Sequence, residues 1–387
     1  MAGPKYLPQF AIPLQDADAQ IASTRRLLEE IFPSWGSAHI DVISVKGGIT
    51  NCLLKGVHRA NTPDEQAVLV RAYGRGTDTI IDRNREFCTH IHLHTHGLAP
   101  PLYGKFKNGL VYGFIAGRSV DYHELSDPAL MVGVARGLAE WHSTLDATVI
   151  RRLMTETLAG QAPGKEPIDD IWQLCGWWIS NLPTPTKEAV ENKAALMREL
   201  VWAKNEIQAA GGPTVISHCD LLSGNILVPD DWPVGGGAAG ADVPKVAFID
   251  YEYALPTPRA FDLANHFMEW QGFDCDTSLI PAVGGDVMRS WGRHYLEGLP
   301  GDADVDERPP VTDAAVDGLM AEIAAWWGMP GFYWGIWATI QAVISTIDFD
   351  YKSYADIRLK EYWQWKERYL AAKAGAPGAP GAPASAP

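Results

Sequence analysis

The chain has 387 residues, which is more than one hydrophobic core usually serves, so the sequence predicts two lobes. Its hydrophobic content of 47% with 15 tryptophans suffices for folded cores, and its net charge of −15 argues against nucleic acid as a partner. The five cysteines are scattered without a CxxC pair, and neither a signal-peptide pattern nor an apolar run of membrane-spanning length is found. These features predict a cytoplasmic protein without membrane insertion.

Two elements are predicted near the N-terminus. Residues 15–32 have helical apolar spacing with acidic residues at the start, which predicts an amphipathic helix. Residues 40–58 alternate apolar and polar around a glycine turn, which predicts two strands. The turn could bind phosphate or be a plain hairpin, and a plain hairpin is favoured when this segment is taken alone. Phosphate binding would use backbone N–H groups of Gly47 and Gly48 and side chains of Thr50 and Asn51.

The next strand and helix contain charged residues and histidines. Residues 67–74 are a predicted strand in which Arg71 interrupts an apolar run, either to contact phosphates or to extend from the lobe edge. A helix is predicted to begin near Asp82 and to carry Glu86. Alternate histidines of this helix lie on opposite faces and no third ligand is nearby, so a metal site is disfavoured. The histidines are His90, His92, His94 and His96.

The rest of the chain is mainly helical by pattern. A turn after residue 106 predicts a hairpin over residues 102–117, and Asp127-Pro128 is a favourable start for a core helix containing His142. His142 is expected to form structural hydrogen bonds. Residues 159–187 are rich in Pro and Gly and show no functional motif, and a long helix is predicted from Lys187.

The most informative stretch is 216–270. A predicted strand is followed by Asp220 and Asn225 on a short turn, and a later strand ends in Asp250. In kinase-type phosphoryl transfer, a loop Asp orients the acceptor hydroxyl, while an Asn five residues later and a further Asp hold Mg²⁺. Each half alone could be an ordinary turn or edge strand. Both halves in order predict ATP- and Mg²⁺-dependent phosphoryl transfer, with Asp220 catalytic and Asn225 and Asp250 as metal ligands.

Longer segments around these residues carry a family resemblance. HCDLLSGNIL followed by FIDYEYALPTPRAFDLANHFMEW resembles the choline/ethanolamine kinase family. In the first lobe, GGITN, VLVRAYG, DTIIDRNRE, HGLAPPLY and NGLVYGFIAG resemble its ethanolamine kinase branch. The match covers most of residues 40–125 and 210–370 and is weak over 150–210. The chain departs from the family pattern at Cys219, where Asn is more usual, and at Gly113, where the branch usually has an acidic residue.

The resemblance implies an architecture and an activity. The fold would be α+β, a two-lobed protein-kinase-like fold with a small antiparallel-sheet N-lobe over 1–117 and a larger, mainly helical C-lobe over 118–373. A disordered Gly/Ala/Pro tail would occupy 374–387. The activity implied is an ATP-dependent kinase that phosphorylates the hydroxyl of ethanolamine to phosphoethanolamine, the first step of phosphatidylethanolamine synthesis. Family members include dimers, so a homodimer is a further expectation.

The resemblance also implies roles for individual residues. Arg71, paired with Glu86, would contact the nucleotide phosphates, and backbone groups near Phe114 and Ile115 would contact adenine. His218 and Asp262 are expected to support the catalytic loop without touching substrate. The acceptor's ammonium group would be held by aromatic faces and one carboxylate. These acceptor-binding residues are Tyr253, Glu269, Trp334, Trp337 and Tyr354.

Three alternatives to ethanolamine phosphorylation remain open on the sequence. Choline is the closest, because one carboxylate and two tryptophans suit either ammonium group. Aminoglycoside-type phosphotransfer is less favoured, because large polycationic acceptors would want more acidic residues in the pocket. The non-enzyme alternative is a kinase-like ATP-binding protein without turnover. The presence of Asp220, Asn225 and Asp250 together argues against it.

Overall fold

The computed structural model divides the chain into two compact units. One is Met1–Ala116 with Ile344–Asp348, and the other is Gly117–Val343 with Phe349–Pro387. The structure describes residues 3–36, 39–45, 51–59, 66–158, 167–234, 242–300, 309–345 and 347–375. Nearly all of the tail predicted to be disordered, and the turn with Gly47, Gly48 and Thr50, lie outside these ranges.

The first unit is organised around a sheet. Among the described residues this sheet has six strands in the order β1-β5-β6-β4-β3-β2. Every pairing is antiparallel except β1 with β5, where a three-residue strand runs parallel along the edge. The two strands predicted within 40–58 and the hairpin predicted within 102–117 are confirmed. The strands are β1 (Lys5–Leu7), β2 (Ile40–Val45), β3 (Asn51–His58), β4 (Gln66–Tyr73), β5 (Leu102–Phe106) and β6 (Gly109–Gly113).

Two helices belong to the first unit. Helix α1 (Ala17–Ile31) begins at an N-cap, Asp16, whose carboxylate accepts from the backbone N–H of Ala19. Its buried apolar side belongs to the same core as the sheet, as predicted for 15–32. Helix α2 (Arg83–Thr95) is capped by Asp82. In it, Nε2 of His90 lies 2.9 Å from the carbonyl oxygen of Pro100, so this histidine holds the chain that follows the helix.

From Gly117 onward the chain is mainly helical. The helices predicted to start near 128 and 187 are confirmed, which together with the sheet of the first unit confirms the two-lobed α+β fold. None of the described helices combines the length and apolarity needed to span a bilayer. The helices are α3 (Pro128–Thr144), α4 (Ala147–Leu158), α5 (Ile171–Asn181), α6 (Lys187–Ile207), α7 (Arg259–Met268), α8 (Asp286–Gly298), α9 (Asp313–Trp326), α10 (Met329–Ile344) and α11 (Tyr351–Lys373).

Short strands position the loops that carry the motif residues. Strand β8 pairs antiparallel with β11, and β9 pairs antiparallel with both β7 and β10. The segment between β8 and β9 and the segment between β10 and β11 are therefore held at both ends. The strands are β7 (Arg118–Ser119), β8 (Thr214–Ser217), β9 (Ile226–Val228), β10 (Ala247–Phe248) and β11 (Leu255–Pro258).

Helices α10 and α11 approach each other closely through glycines. A Cβ added at Gly331 would lie 2.5 Å from the backbone oxygen of Arg358. A Cβ at Gly328 would lie 2.3 Å from the Trp365 ring, and one at Gly335 would lie 2.6 Å from Cγ of Leu359. Gly328 directly precedes α10, and spacings of three and four residues place it on the same side as Gly331 and Gly335 of the helix. The contact at Gly331 is with backbone, which cannot rotate away as a side chain can.

Replacing Gly331 by Ala should therefore lower the free energy of unfolding by about 1–3 kcal/mol, because the two helices must separate. Gly318→Ala in α9 is the matched control, since nothing lies within 4 Å of its added Cβ. The control should be stabilised by up to about 1 kcal/mol, because alanine has the higher helix propensity. Urea unfolding measures both changes, and equal midpoints for Gly331→Ala and the parent would refute the close contact.

Candidate active site

The loop between β8 and β9 brings together two predicted site residues. Nδ2 of Asn225 donates to the backbone oxygen of Asp220 at 2.8 Å and to its Oδ2 at 3.2 Å. Both residues are buried. Because the amide nitrogen points at Asp220, the side-chain oxygen of Asn225 is the atom left to bind a cation. Amide and carboxylate oxygens are the protein ligands that Mg²⁺ prefers.

Asp250 lies beside this loop with an unusual backbone. Its φ angle is 62°, in the left-handed region that is costly for residues other than glycine. The preceding Ile249 donates its N–H to the carbonyl oxygen of Asn225 at 3.0 Å, which joins the two loops. Cys219, next to Asp220, also has a positive φ, of 64°. Such strain often accompanies functional sites, and here it occurs on both loops that carry the motif.

Several carboxylates surround Asp220. Burial is the main cause that raises the pKa of Asp220 well above its ordinary value, and Asp250, Glu269 and Glu252 raise it further. The hydrogen bond from Asn225 opposes this rise. Glu252, which is buried, was not singled out from the sequence, although its position two residues after Asp250 was a usable signal. This concentration of negative charge favours a bound cation, so the donor set fits Mg²⁺.

Asp262 in α7 holds the loop between β8 and β9 through the backbone of that loop. Its Oδ2 accepts from the N–H of His218 and its Oδ1 from the N–H of Cys219, each at 2.8 Å. Nε2 of His218 in turn donates to the carbonyl oxygen of Ile249 at 3.0 Å. The structure thus places His218 and Asp262 at the base of the loop, in contact with its main chain.

A second layer of hydrogen bonds fixes Asp262. Nε2 of His142 lies 2.9 Å from Oδ2 of Asp262, and Nδ1 of His142 lies 2.9 Å from the hydroxyl of Tyr295. A carboxylate only accepts, so Nε2 carries the proton and Nδ1 accepts from Tyr295. Burial alone would raise the pKa of Asp262, but His142 and the N–H of Cys219 lower it below its ordinary value. The carboxylate is therefore stabilised in its charged form.

Three of the four predicted acceptor-binding aromatic residues, Tyr253, Trp334 and Trp337, form one cluster. Nε1 of Trp337 donates to the hydroxyl of Tyr253 at 2.7 Å, and the rings of Tyr253 and Trp334 are 5.6 Å apart. Trp334 and Trp337 are edge to face at 5.3 Å. Nε1 of Trp334 donates to Oδ1 of Asn265 at 2.8 Å, a contact not predicted from the sequence. These hydrogen bonds fix the ring orientations.

Glu269 and Tyr354 lie beside a residue that was not predicted. Nη2 of Arg358 donates to Oε1 of Glu269 at 3.1 Å, and the Arg358 guanidinium lies 5.8 Å from the Tyr354 ring. Burial raises the pKa of Glu269, and Arg358 opposes the rise. The sequence signal for Arg358 was its position four residues after Tyr354, on the same helix face.

Arg71 and Glu86, the pair predicted to contact phosphate, lie together in the first unit, and a second arginine, Arg83, joins them. Arg71 lies 3.8 Å from Glu86, and both are buried. Arg83 lies closer, 2.9 Å from Glu86, and its Nη2 also donates to Oδ1 of Asn51 at 3.3 Å. Arg83 was not predicted, and it links Asn51 to Glu86. Both arginines are thus held by one carboxylate.

The two residues predicted near adenine lie after β6. Phe114 is exposed, its N–H donates to the carbonyl oxygen of Ala67 at 3.2 Å, and Lys55 lies over its ring at 3.8 Å. Ile115 is half-buried. Both residues lie at the end of the sheet, and in sequence they are distant from Arg71 and Glu86.

Comparison with known proteins extends these observations to the whole chain. A family model described as choline/ethanolamine kinase matches residues 42–363. Ethanolamine kinase 1 of Mus musculus is 31% identical over 389 residues, covering 96% of this chain and 97% of that protein. A probable ethanolamine kinase of Arabidopsis thaliana is also 31% identical, over 87% of this chain and 83% of its own length.

Solved structures share the fold. The ethanolamine kinase of Plasmodium vivax superposes with a TM-score of 0.72 at 24% identity, covering 91% of this chain and 90% of that one. The choline kinase of Cryptosporidium parvum gives a TM-score of 0.65 at 18% identity, covering 91% and 96%. The resemblance drawn from the sequence motifs is confirmed, and the chain belongs to the choline/ethanolamine kinase family.

Proposed function

We propose that this protein transfers the γ-phosphoryl group of ATP to the hydroxyl of ethanolamine, giving phosphoethanolamine. The observation that carries the proposal is the loop in which Asp220 and Asn225 are hydrogen-bonded beside Asp250. Ethanolamine kinases 31% identical over nearly the full chain support this acceptor. The reaction supplies the phosphorylated amino alcohol from which phosphatidylethanolamine synthesis begins.

Asp220 is the catalytic residue in this proposal. Its carboxylate orients the acceptor hydroxyl and takes its proton as the phosphoryl group is transferred. Asn225 and Asp250 would hold Mg²⁺, which neutralises charge on the phosphates when bound. Asn225 also fixes the Asp220 carboxylate through its amide nitrogen. Asp262 and His218 keep the loop backbone in place without touching substrate.

Nucleotide binding is assigned to the first unit. Arg71, oriented by Glu86, would contact the phosphates of ATP. Asn51 and the glycine turn before it, with Gly47, Gly48 and Thr50, would add contacts to the same group. The backbone near Phe114 and Ile115 would bind adenine.

Acceptor binding is assigned to the aromatic cluster with Glu269. Tyr253, Trp334, Trp337 and Tyr354 present faces to an ammonium group, each worth roughly 0.5–2 kcal/mol depending on desolvation. Glu269 supplies the counter-charge.

A cytoplasmic location is in keeping with five cysteines that are all free thiols in the structure. We also propose that the protein forms a homodimer.

The experiment that tests this function is ATP consumption by the purified protein with Mg²⁺, comparing ethanolamine and choline at equal sub-saturating concentrations. We expect a higher kcat/KM for ethanolamine. A preference for choline would keep the mechanism and overturn the acceptor. Binding of ATP without turnover on either compound would identify a kinase-like binding protein instead.

A further inference from the structure

A fully buried arginine lies between two carboxylates next to the predicted acceptor-binding residues. Nη2 of Arg358 is 3.1 Å from Oε1 of Glu269, and its Nε is 3.3 Å from Oε2 of Glu361. The Arg358 side chain is only 1% exposed. Tyr354, one turn earlier on α11, lies beside the guanidinium. We refer to Arg358, Glu269 and Glu361 as the ionic cluster.

The charge of the ionic cluster is unbalanced. Two carboxylates and one guanidinium leave one negative charge among buried side chains, and a buried charge without compensation is costly. A small cation bound beside the cluster would complete the balance. The guanidinium also restricts Glu269, because a carboxylate held by a planar, rigid donor loses rotational freedom. Arg358 donates to Oε1, which leaves the second oxygen of Glu269 as the acceptor for another donor.

Restriction of Glu269 affects the two candidate acceptors differently. A primary ammonium carries three N–H donors, each of which needs an acceptor in a defined direction once it is desolvated. A quaternary ammonium has no N–H and needs only a nearby negative charge and aromatic faces. A carboxylate fixed in one orientation therefore favours the primary ammonium, whereas a mobile carboxylate of equal charge serves the quaternary one nearly as well.

We propose that Arg358 is a positioning residue that fixes the Glu269 carboxylate and thereby sets the preference for a primary over a quaternary ammonium acceptor. This inference rests on the proposed function. Arg358 acts through Glu269 and does not itself contact the acceptor. Its position relative to the aromatic residues is set by the close approach of α11 to Gly331 of α10.

The decisive variant is Arg358→Met combined with Glu361→Gln. Arg358→Met alone leaves two buried carboxylates without a partner and is expected to fold poorly. The double substitution removes one positive and one negative charge, so the formal charge of the cluster is unchanged while the restraint on Glu269 is lost. Arg368→Met with Glu367→Gln is the matched control, because it makes the same charge change at exposed positions of α11.

For the folded double variant we expect KM for ethanolamine to rise about tenfold or more, the loss typical of a directed hydrogen bond to a charged group. KM for choline should change less than about threefold, and KM for ATP should be unchanged. The control variant should match the parent in all three constants. Arg358→Lys should give an intermediate selectivity, because one ammonium cannot reproduce the guanidinium fork.

Two results would overturn the inference. Both leave the ratio of the two acceptor KM values unchanged in the folded double variant: in one, neither constant differs from the parent, and in the other both rise by the same factor, as a purely structural role for Arg358 would give. Failure of the proposed function is a separate outcome that the parent protein itself would show, by phosphorylating neither compound or by preferring choline. Circular dichroism and urea unfolding establish that the variants compared are folded.

Discussion

Asp220→Asn should lower kcat for ethanolamine phosphorylation by about 10²- to 10⁴-fold, the usual contribution of a general base. The isosteric amide cannot take the hydroxyl proton, although it can still accept the hydrogen bond from Asn225. ATP should still bind, because the residues proposed to contact its phosphates are unchanged. Steady-state kinetics and equilibrium nucleotide binding measure the two effects.

This substitution should not weaken the fold. The Asp220 carboxylate is buried among three other carboxylates, and its pKa is raised, so ionising it in the folded protein costs free energy. A neutral amide removes that cost, and the midpoint of urea unfolding should equal or exceed that of the parent. Asp231→Asn, at an exposed loop position, is the control and should change neither property. Near-parental kcat in Asp220→Asn would exclude Asp220 as the base.

Asp262→Asn should destabilise the protein by about 2–5 kcal/mol and reduce activity with it. The carboxylate accepts from two backbone N–H groups and from His142. An amide has only one acceptor oxygen, so its NH₂ group would face an N–H donor and leave buried groups unpaired. Urea unfolding gives the stability change, and the exposed Asp231→Asn is again the comparison.

The stability difference should also depend on pH. The pKa of Asp262 is lowered in the folded protein, so its carboxylate stabilises the fold at any pH above its unfolded value, near 4. That contribution is lost as the pH falls through the lower pKa of the folded state. The gap between the parent and Asp262→Asn should thus be widest near neutral pH and narrow below about pH 4. A gap independent of pH would show that the charge of Asp262 is not the stabilising feature.

The proximity of Asp220 and Asn225 could be predicted from the sequence because their loop is local. Asp220 and Asn225 are five residues apart, and the strands that flank them are short apolar runs with clear ends. Asp262 lies further along the chain, but α7 follows directly from the strand that pairs with β8, so its position depends on few contacts. Motif spacing is informative where the residues are joined by one or two short elements.

The partners of the charged residues could not be predicted in the same way. Arg358 is separated by 89 residues from Glu269, and their contact exists only once α11 packs beside the turn that follows α7. Glu86 was expected to pair with Arg71, but Arg83 lies closer to it. Helix α5 was missed because Pro and Gly dominate its surroundings, whereas buried residues such as Trp172 and Trp178 stabilise it through tertiary packing.

The glycines at the contact between α10 and α11 control the positions of the residues proposed to bind the acceptor. Trp334 and Trp337 lie on α10, whereas Tyr354 and Arg358 lie on α11. The two helices approach each other this closely because glycines, which have no side chain, occupy the contact. Adding a methyl group at Gly331 would move the tryptophans away from the arginine without altering any residue proposed to contact the acceptor. A substitution at this helix–helix contact would thus allow the protein to accept a bulkier ammonium compound during evolution. Every side chain proposed to bind the acceptor would be retained.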